Sequence, residues 1–350
     1  MIEVISITLV IIGALIGAGF ASGQEIFSFF YIYGKNGIYG ILIMSILIGI
    51  FIYKSLKIIY QKQVYNYNDF LNLFIKNTKI RNVILWIVNV LLLVSFYIMV
   101  AGFGAYFEQE IGINRIIGSI VLNLLCVIVF FSNIKGVLKA SNLIVPFLIF
   151  FIFFIGIKNI VQIRTIDFYQ MKNNWILSML IYNSYNFILL MPVLISLKKQ
   201  ITKEKNIKKV SILVTIIILI LSINIFFLLL NANIKEIENQ EMPIVYIISN
   251  YFNKYKKIYA FIVLASIFTT AISVGIGFLQ NISKNSNSYP QFVLFMCITS
   301  LLMSNIGFSK LLNFILYLFS TFPVSLLSVV LYNIFVLFVY QTLASISPCA

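Results

Sequence analysis

The sequence predicts an all-α integral membrane protein of about ten transmembrane helices, arranged as two inverted groups of five, with the first and sixth helices broken. Three observations predict it. The 350 residues are 61% hydrophobic and only 10% charged, against about 25% charged in an ordinary soluble domain. Apolar runs long enough to cross a bilayer recur along the whole chain. Two of those runs are interrupted midway by glycine, proline and clustered polar side chains. Such irregular backbone is tolerated at membrane depth only where protein or a wet cavity satisfies it.

The runs fall at 4–33, 37–57, 82–107, 114–133, 141–161, 174–197, 210–231, 257–280, 290–306 and 310–340. At a helical rise of about 1.5 Å per residue the first and last are too long for one straight crossing. Breaks are expected near Gly17–Gly19 and near Pro323. An odd number of spans per group inverts the second group in the membrane. Gly102-Phe103-Gly104 in span 3 is echoed by Gly275-Ile276-Gly277 in span 8. The chain reads as one transmembrane domain over 1–350, with one repeat at about 4–161 and the other at about 174–340.

Loop charge sets the orientation. Lys54, Lys57, Lys62, Lys76, Lys79 and Arg81 follow span 2, Lys135 and Lys139 follow span 4, six lysines from Lys198 to Lys209 follow span 6, and Lys284 follows span 8. These loops share one side, which is then cytoplasmic and holds both termini. The net charge of +15 is spread over those loops and calls for no nucleic acid. The Ile-, Lys- and Asn-rich usage points to an AT-rich bacterial genome, the first run lacks a small-residue cleavage site for a signal peptide, and the expected location is the bacterial cytoplasmic (inner) membrane. Two connections carry structure of their own. Val64, Tyr67, Phe70, Leu71 and Phe74 recur at helical spacing and predict an interfacial amphipathic helix. Pro243 opens a short outer helix that either lids a cavity or only connects two spans.

Span 1 contains Gly13-Ala14-Leu15-Ile16-Gly17-Ala18-Gly19-Phe20-Ala21-Ser22-Gly23-Gln24-Glu25. Unwinding at Gly17 and Gly19 would expose carbonyls to a cation and amides to a carboxylate. The alternative is small-residue packing against a neighbouring helix. Glu25 is the acid placed well inside a span, where ionisable groups mark function. It is either a proton-linked or amine-binding carboxylate, or the partner of Ser22 in a capping box. Span 6 has Tyr182-Asn183-Ser184-Tyr185-Asn186 followed by Pro192, a second interruption that mirrors the first. Span 8 places Ser266, Thr269 and Thr270 on one helical face. Their oxygens suit a hard monovalent cation, or merely bond back to their own helix. Tyr97 in span 3 could bound a pocket or belong to the core.

Several classes are excluded. Cys126, Cys297 and Cys349 share no close spacing, and the chain has no His, so neither a disulfide framework nor a transition-metal site is indicated. No dinucleotide, phosphate-loop or metalloprotease motif occurs, so no cofactor and no enzyme activity are expected.

The span 1 motif, the ten spans and the span 6 cluster together resemble the YkvI-like amino-acid permeases of the amino acid–polyamine–organocation superfamily. The resemblance covers essentially the whole chain. It implies the LeuT-type fold, with the solute site at the broken centres of helices 1 and 6. Backbone groups of Gly17, Ala18, Gly19, Phe20 and Ala21, and residues Asn183, Ser184, Tyr185 and Asn186, would hold the solute, with Tyr97 and Phe20 bounding it. It also implies a sodium site made by the carbonyls of Gly13 and Ile16 and by Ser266, Thr269 and Thr270. Span 5 lacks a midspan lysine that would replace the ion, which favours sodium over protons. Span 6 departs from the pattern in having no glycine at its break. The expected function is a cation-coupled secondary transporter of a small solute, most readily a neutral amino acid. The alternative is a ligand-sensing receptor subunit on the same scaffold, although little sequence after residue 340 is left for an appended signalling segment.

Overall fold

The first span is built from pieces because its sequence cannot hold one helix. In the computed structural model, which describes residues 2–160, 168, 170–240, 242–283, 288–306 and 311, α1 (Ile2–Leu15) ends before Gly17. A single turn, α2 (Ala18–Ala21), and a shorter one, α3 (Gln24–Ile26), follow, and a π-helical turn over Phe27–Tyr31 completes the crossing. Gly17 is extended (φ −85°, ψ −171°), which stops the helical ladder. Gly23 has φ 81°, a left-handed conformation that glycine adopts without steric cost.

The other crossings are mostly long, regular helices. They are α4 (Lys35–Gln61), α6 (Thr78–Tyr106), α7 (Arg115–Phe131), α8 (Asn133–Ile160), α9 (Trp175–Ser196), α10 (Glu204–Leu229), α13 (Lys256–Ile282) and α14 (Tyr289–Ser304). They correspond to predicted spans 2 to 9. Six of the described segments are long and apolar enough to cross a bilayer unaided, and α1, α7 and α14 are shorter apolar helices. The predicted tenth span, with Pro323, lies outside the described residues apart from Leu311.

The predicted break in span 6 is corrected. Helix α9 runs without interruption from Trp175 to Ser196, through Pro192. Its polar cluster bonds within the helix instead of opening it. Ser184 Oγ donates to the Leu180 carbonyl (2.8 Å) and Asn186 Nδ2 to the Tyr182 carbonyl (2.9 Å). Both are bonds to the carbonyl four residues earlier, which a continuous helix accommodates.

The short elements sit where the loops predicted them. α5 (Tyr67–Asn72) begins at Asn66, whose side chain accepts from the Asp69 amide at 2.8 Å. Val64, Tyr67, Phe70 and Leu71 are buried, and the helix packs on α6 and α9, so its apolar face is covered by protein and not by lipid. On the other side, α11 (Ile234–Ile237) leads to α12 (Pro243–Tyr251), with Pro243 in its first turn.

Helix pairing carries a two-fold pattern. Numbering spans in chain order, α4 (span 2) packs on α9 (span 6), and α10 (span 7) packs on α1 (span 1). Likewise α6 packs on α14, and α13 on α7. The pairs α4 with α10 and α6 with α13 map onto themselves. Among the described residues, spans 1 to 4 exchange with spans 6 to 9, five places later, as an inverted repeat requires. At the centre α1 touches α8, α9, α10 and α13, so its break is enclosed by protein. A buried hydrogen-bonded pair, Asn123 Nδ2 to Ser300 Oγ at 2.9 Å, ties α7 to α14.

Candidate functional site

The break in span 1 leaves carbonyls at the end of α1 without helical partners. Helix α13 supplies one. Thr270 Oγ1 donates to the Gly13 carbonyl at 2.8 Å and lies 3.2 Å from that of Ile16. Close approach of the two helices permits this: a Cβ on Gly13 would lie 3.3 Å from Thr269 Cβ. Thr269 Oγ1 donates to the Ser266 carbonyl at 3.1 Å. Ser266 Oγ turns away and donates to Val263 O at 2.7 Å, so Ser266 offers its carbonyl and not its hydroxyl. Ser266 and Thr269 are fully buried.

The structure therefore brings Gly13, Ile16 and Thr270 together directly, with Ser266 and Thr269 joined on the adjoining helical turn. Neutral oxygens of this kind suit a hard monovalent cation. A buried orphan supports the fit: Ser141 Oγ on α8 has no partner among the described residues and lies 3.7 Å from where a Gly13 Cβ would be. Sequence reading missed Ser141, because a single serine in an apolar span carries no pattern.

Beside this cluster a cavity of about 40 Å³ is lined by four spans. Span 1 contributes Ala14, Leu15, Gly17, Gly19, Gln24, Glu25, Ser28 and Phe29; α6 contributes Ser95, Ile98 and Met99; α9 contributes Tyr185, Asn186, Leu189 and Leu190; α13 contributes Thr270 and Val274. A water needs roughly 10–15 Å³ by this measure, so the cavity holds a few waters, and a larger solute needs side chains to move.

Of the residues expected to hold a solute, Gly17, Gly19, Tyr185 and Asn186 line this cavity. Ala18, Phe20 and Ala21 are fully buried and do not line it; the Ala21 carbonyl accepts from Tyr259 OH at 2.6 Å. Asn183 and Ser184 are also turned away, with Asn183 Nδ2 against Met179 Sδ at 3.1 Å. Tyr97, expected to bound the pocket, faces α14, where its hydroxyl donates to Thr299 Oγ1 at 2.7 Å. A helix shows different faces to different neighbours, and one residue number does not reveal which. Ser95, Gln24 and Ser28 line the cavity without having been singled out.

The capping box at Ser22 does not form. The left-handed Gly23 is inserted between Ser22 and α3 and is itself the N-cap. Ser22 Oγ donates back to the Gly19 carbonyl at 3.2 Å. Glu25 is freed from capping and folds over Gly19, where an added Cβ would lie 2.5 Å from Oε1. Its carboxyl group faces the hydroxyls of Tyr182 and Tyr185 from α9. Close approach, more than unwinding, is what requires glycine at 19.

Helix α12 covers the turn at Gly23 in span 1. The Ile244 amide donates to the Ser22 carbonyl at 2.9 Å. A Cβ on Gly23 would lie 2.3 Å from Ile244 Cγ1. At the other end of span 1 Glu3 accepts from the Thr202 amide at 2.9 Å, which fastens the start of α1 to the loop after α9.

No protein-family model matches the sequence. The chain is 26% identical over 328 residues to the uncharacterized membrane protein YkvI of Bacillus subtilis (strain 168), covering 89% of this chain and 90% of that one. Among solved structures it is similar to MhsT in complex with L-phenylalanine, with a TM-score of 0.64 at 16% identity over 85% of this chain and 78% of the other. It is also similar to Mhp1, a nucleobase-cation-symport-1 family transporter, in a closed conformation with bromovinylhydantoin bound. There the TM-score is 0.66 at 11% identity over 93% of this chain and 76% of the other. The chain has a LeuT-type fold and is similar to YkvI along most of its length. In LeuT-type terms the broken helix 1 is α1 to α3, and helices 6 and 8 are α9 and α13. This is a multi-pass membrane protein.

Proposed function

We propose that the chain is a cation-coupled secondary transporter that moves a small organic solute, a neutral amino acid above all, by alternating access. One observation carries the reading: Thr270 on α13 bonds to the two carbonyls that the break in span 1 sets free, at the wall of the cavity. Sodium is the proposed coupling ion, at Gly13, Ile16, Ser266, Thr269 and Thr270. Filling that site would hold the two halves of span 1 against α13, and so couple ion binding to the shape of the adjoining cavity. The solute would lie against Gly17, Gly19, Tyr185 and Asn186. Both termini would face the cytoplasm, with α12 as the outer lid. Coupling between the two sites makes each ligand raise affinity for the other.

A thermal-shift screen of the purified chain tests this. An amino acid that raises the melting temperature is expected to do so more strongly with sodium than with choline. Stabilisation that ignores sodium throughout would count against the coupled site.

A further inference from the structure

Glu25 is a buried acid with no Lys or Arg beside it among the described residues. It is 9% exposed and lines the cavity. Among the described residues the salt bridge joins Arg115 to Glu108, and no Lys or Arg lines the cavity. The groups that face Glu25, the hydroxyls of Tyr182 and Tyr185, orient it without supplying a compensating charge. Two further acceptors in the lining of the same cavity, one on span 1 and one on α6, are open. Gln24 Oε1 and Ser95 Oγ are buried atoms with no partner among the described residues. Buried polar atoms are nearly always hydrogen-bonded, and an ionisable side chain inside a membrane protein marks a ligand or ion path. A carboxyl group with open acceptors in the same lining suits a cationic donor.

From this arrangement we infer that the cavity selects its solute by an ammonium group, held by Glu25 with Gln24 and Ser95 as supporting acceptors. The solute class is a small primary amine, either alone or as the amino end of an amino acid. The inference deepens the carrier reading and rests on it only for where the solute goes after binding. Gly19 has a definite part: with a side chain there, the carboxylate could not occupy its present position.

The test uses the purified full-length chain and melting temperature against ligand concentration. The probes are L-alanine, L-leucine and L-phenylalanine, the amines lacking only their carboxylate (ethylamine, isopentylamine, phenethylamine), and the acids lacking only their amino group (propionate, isocaproate, hydrocinnamate). At least one amino acid and its amine are expected to stabilise the chain, and the matching acid is not. Glu25→Gln is expected to weaken that binding about tenfold or more, the size expected for losing a charge-assisted hydrogen bond. If Glu25→Gln does not fold, Gly19→Ala displaces the carboxylate without removing it and should weaken binding in the same order. The inference is overturned if the acids bind as well as the amines, if no amine stabilises the chain, or if a folded Glu25→Gln keeps its amine affinity. Amine binding that depends on Glu25 without flux in liposomes would keep the ammonium site and refute carriage. Flux unchanged by Glu25→Gln would do the reverse.

Discussion

Replacing Thr269 and Thr270 together by alanine is expected to abolish sodium-driven uptake. The change removes the hydroxyl that bonds to the Gly13 and Ile16 carbonyls and the one that bonds to the Ser266 carbonyl. It introduces no clash between the two helices, because alanine keeps the Cβ atom and removes only the hydroxyl and the γ-methyl, which leaves a small void. The Gly13 and Ile16 carbonyls lose a buried donor, at a cost of about 1–3 kcal/mol. For a bound cation the loss is two of its proposed oxygen ligands, and about 3 kcal/mol corresponds to about 100-fold in affinity. The two single changes should differ. Thr270→Ala removes the hydrogen bonds from α13 to span 1, whereas Thr269→Ala loses a contact within its own helix, so Thr270→Ala should raise the sodium requirement more. The conservative pair Thr269→Ser with Thr270→Ser keeps both oxygens and should retain uptake. Full uptake by the double alanine variant, independent of sodium, would remove the ion from this place.

Gly23→Ala is expected to destabilise the chain and to loosen α12 from span 1. At φ 81° an L-residue is strained by about 1–2 kcal/mol. The added Cβ would also lie 2.3 Å from Ile244 Cγ1, an overlap of the kind that costs about 1–3 kcal/mol. The two effects separate experimentally. Ile244→Ala removes the overlap but not the strain, so the pair Gly23→Ala with Ile244→Ala should recover part of the lost melting temperature. Loosening α12 would also remove the Ile244 amide from the Ser22 carbonyl. Uptake should then fall through a failure to close. Wild-type melting and uptake in Gly23→Ala would mean that α12 is not fastened to span 1 at this turn.

Much of the architecture was legible because hydropathy and length constrain a membrane chain strongly. The run 4–33 was too long and too glycine-rich to be one rod, and α1 does stop before Gly17. Pro243 marked α12 because proline suits a first helical turn. Span 6 was misread for a physical reason. Asn and Ser either open a helix or bond back to it, and the sequence alone does not distinguish the two. In α9 they bond back. Tyr97 was misplaced because its direction depends on α14, which sequence periodicity does not position. Ser22 and Glu25 had the spacing of a capping box, but the left-handed Gly23 between them takes the cap and turns Glu25 toward α9. The spacing of Ser266, Thr269 and Thr270 places them on one face of α13, but which of their oxygens meets span 1 follows only from how α13 packs against α1.

Carriage itself is tested most directly by flux. The purified chain is reconstituted in liposomes with sodium outside and choline inside, and uptake of the solute that best stabilises it is followed. If the break in span 1 binds sodium and shapes the cavity, the solute accumulates above its external concentration, and a sodium ionophore collapses that accumulation. Binding of the same solute with no flux under any sodium gradient would contradict the account and leave a receptor on a transporter scaffold.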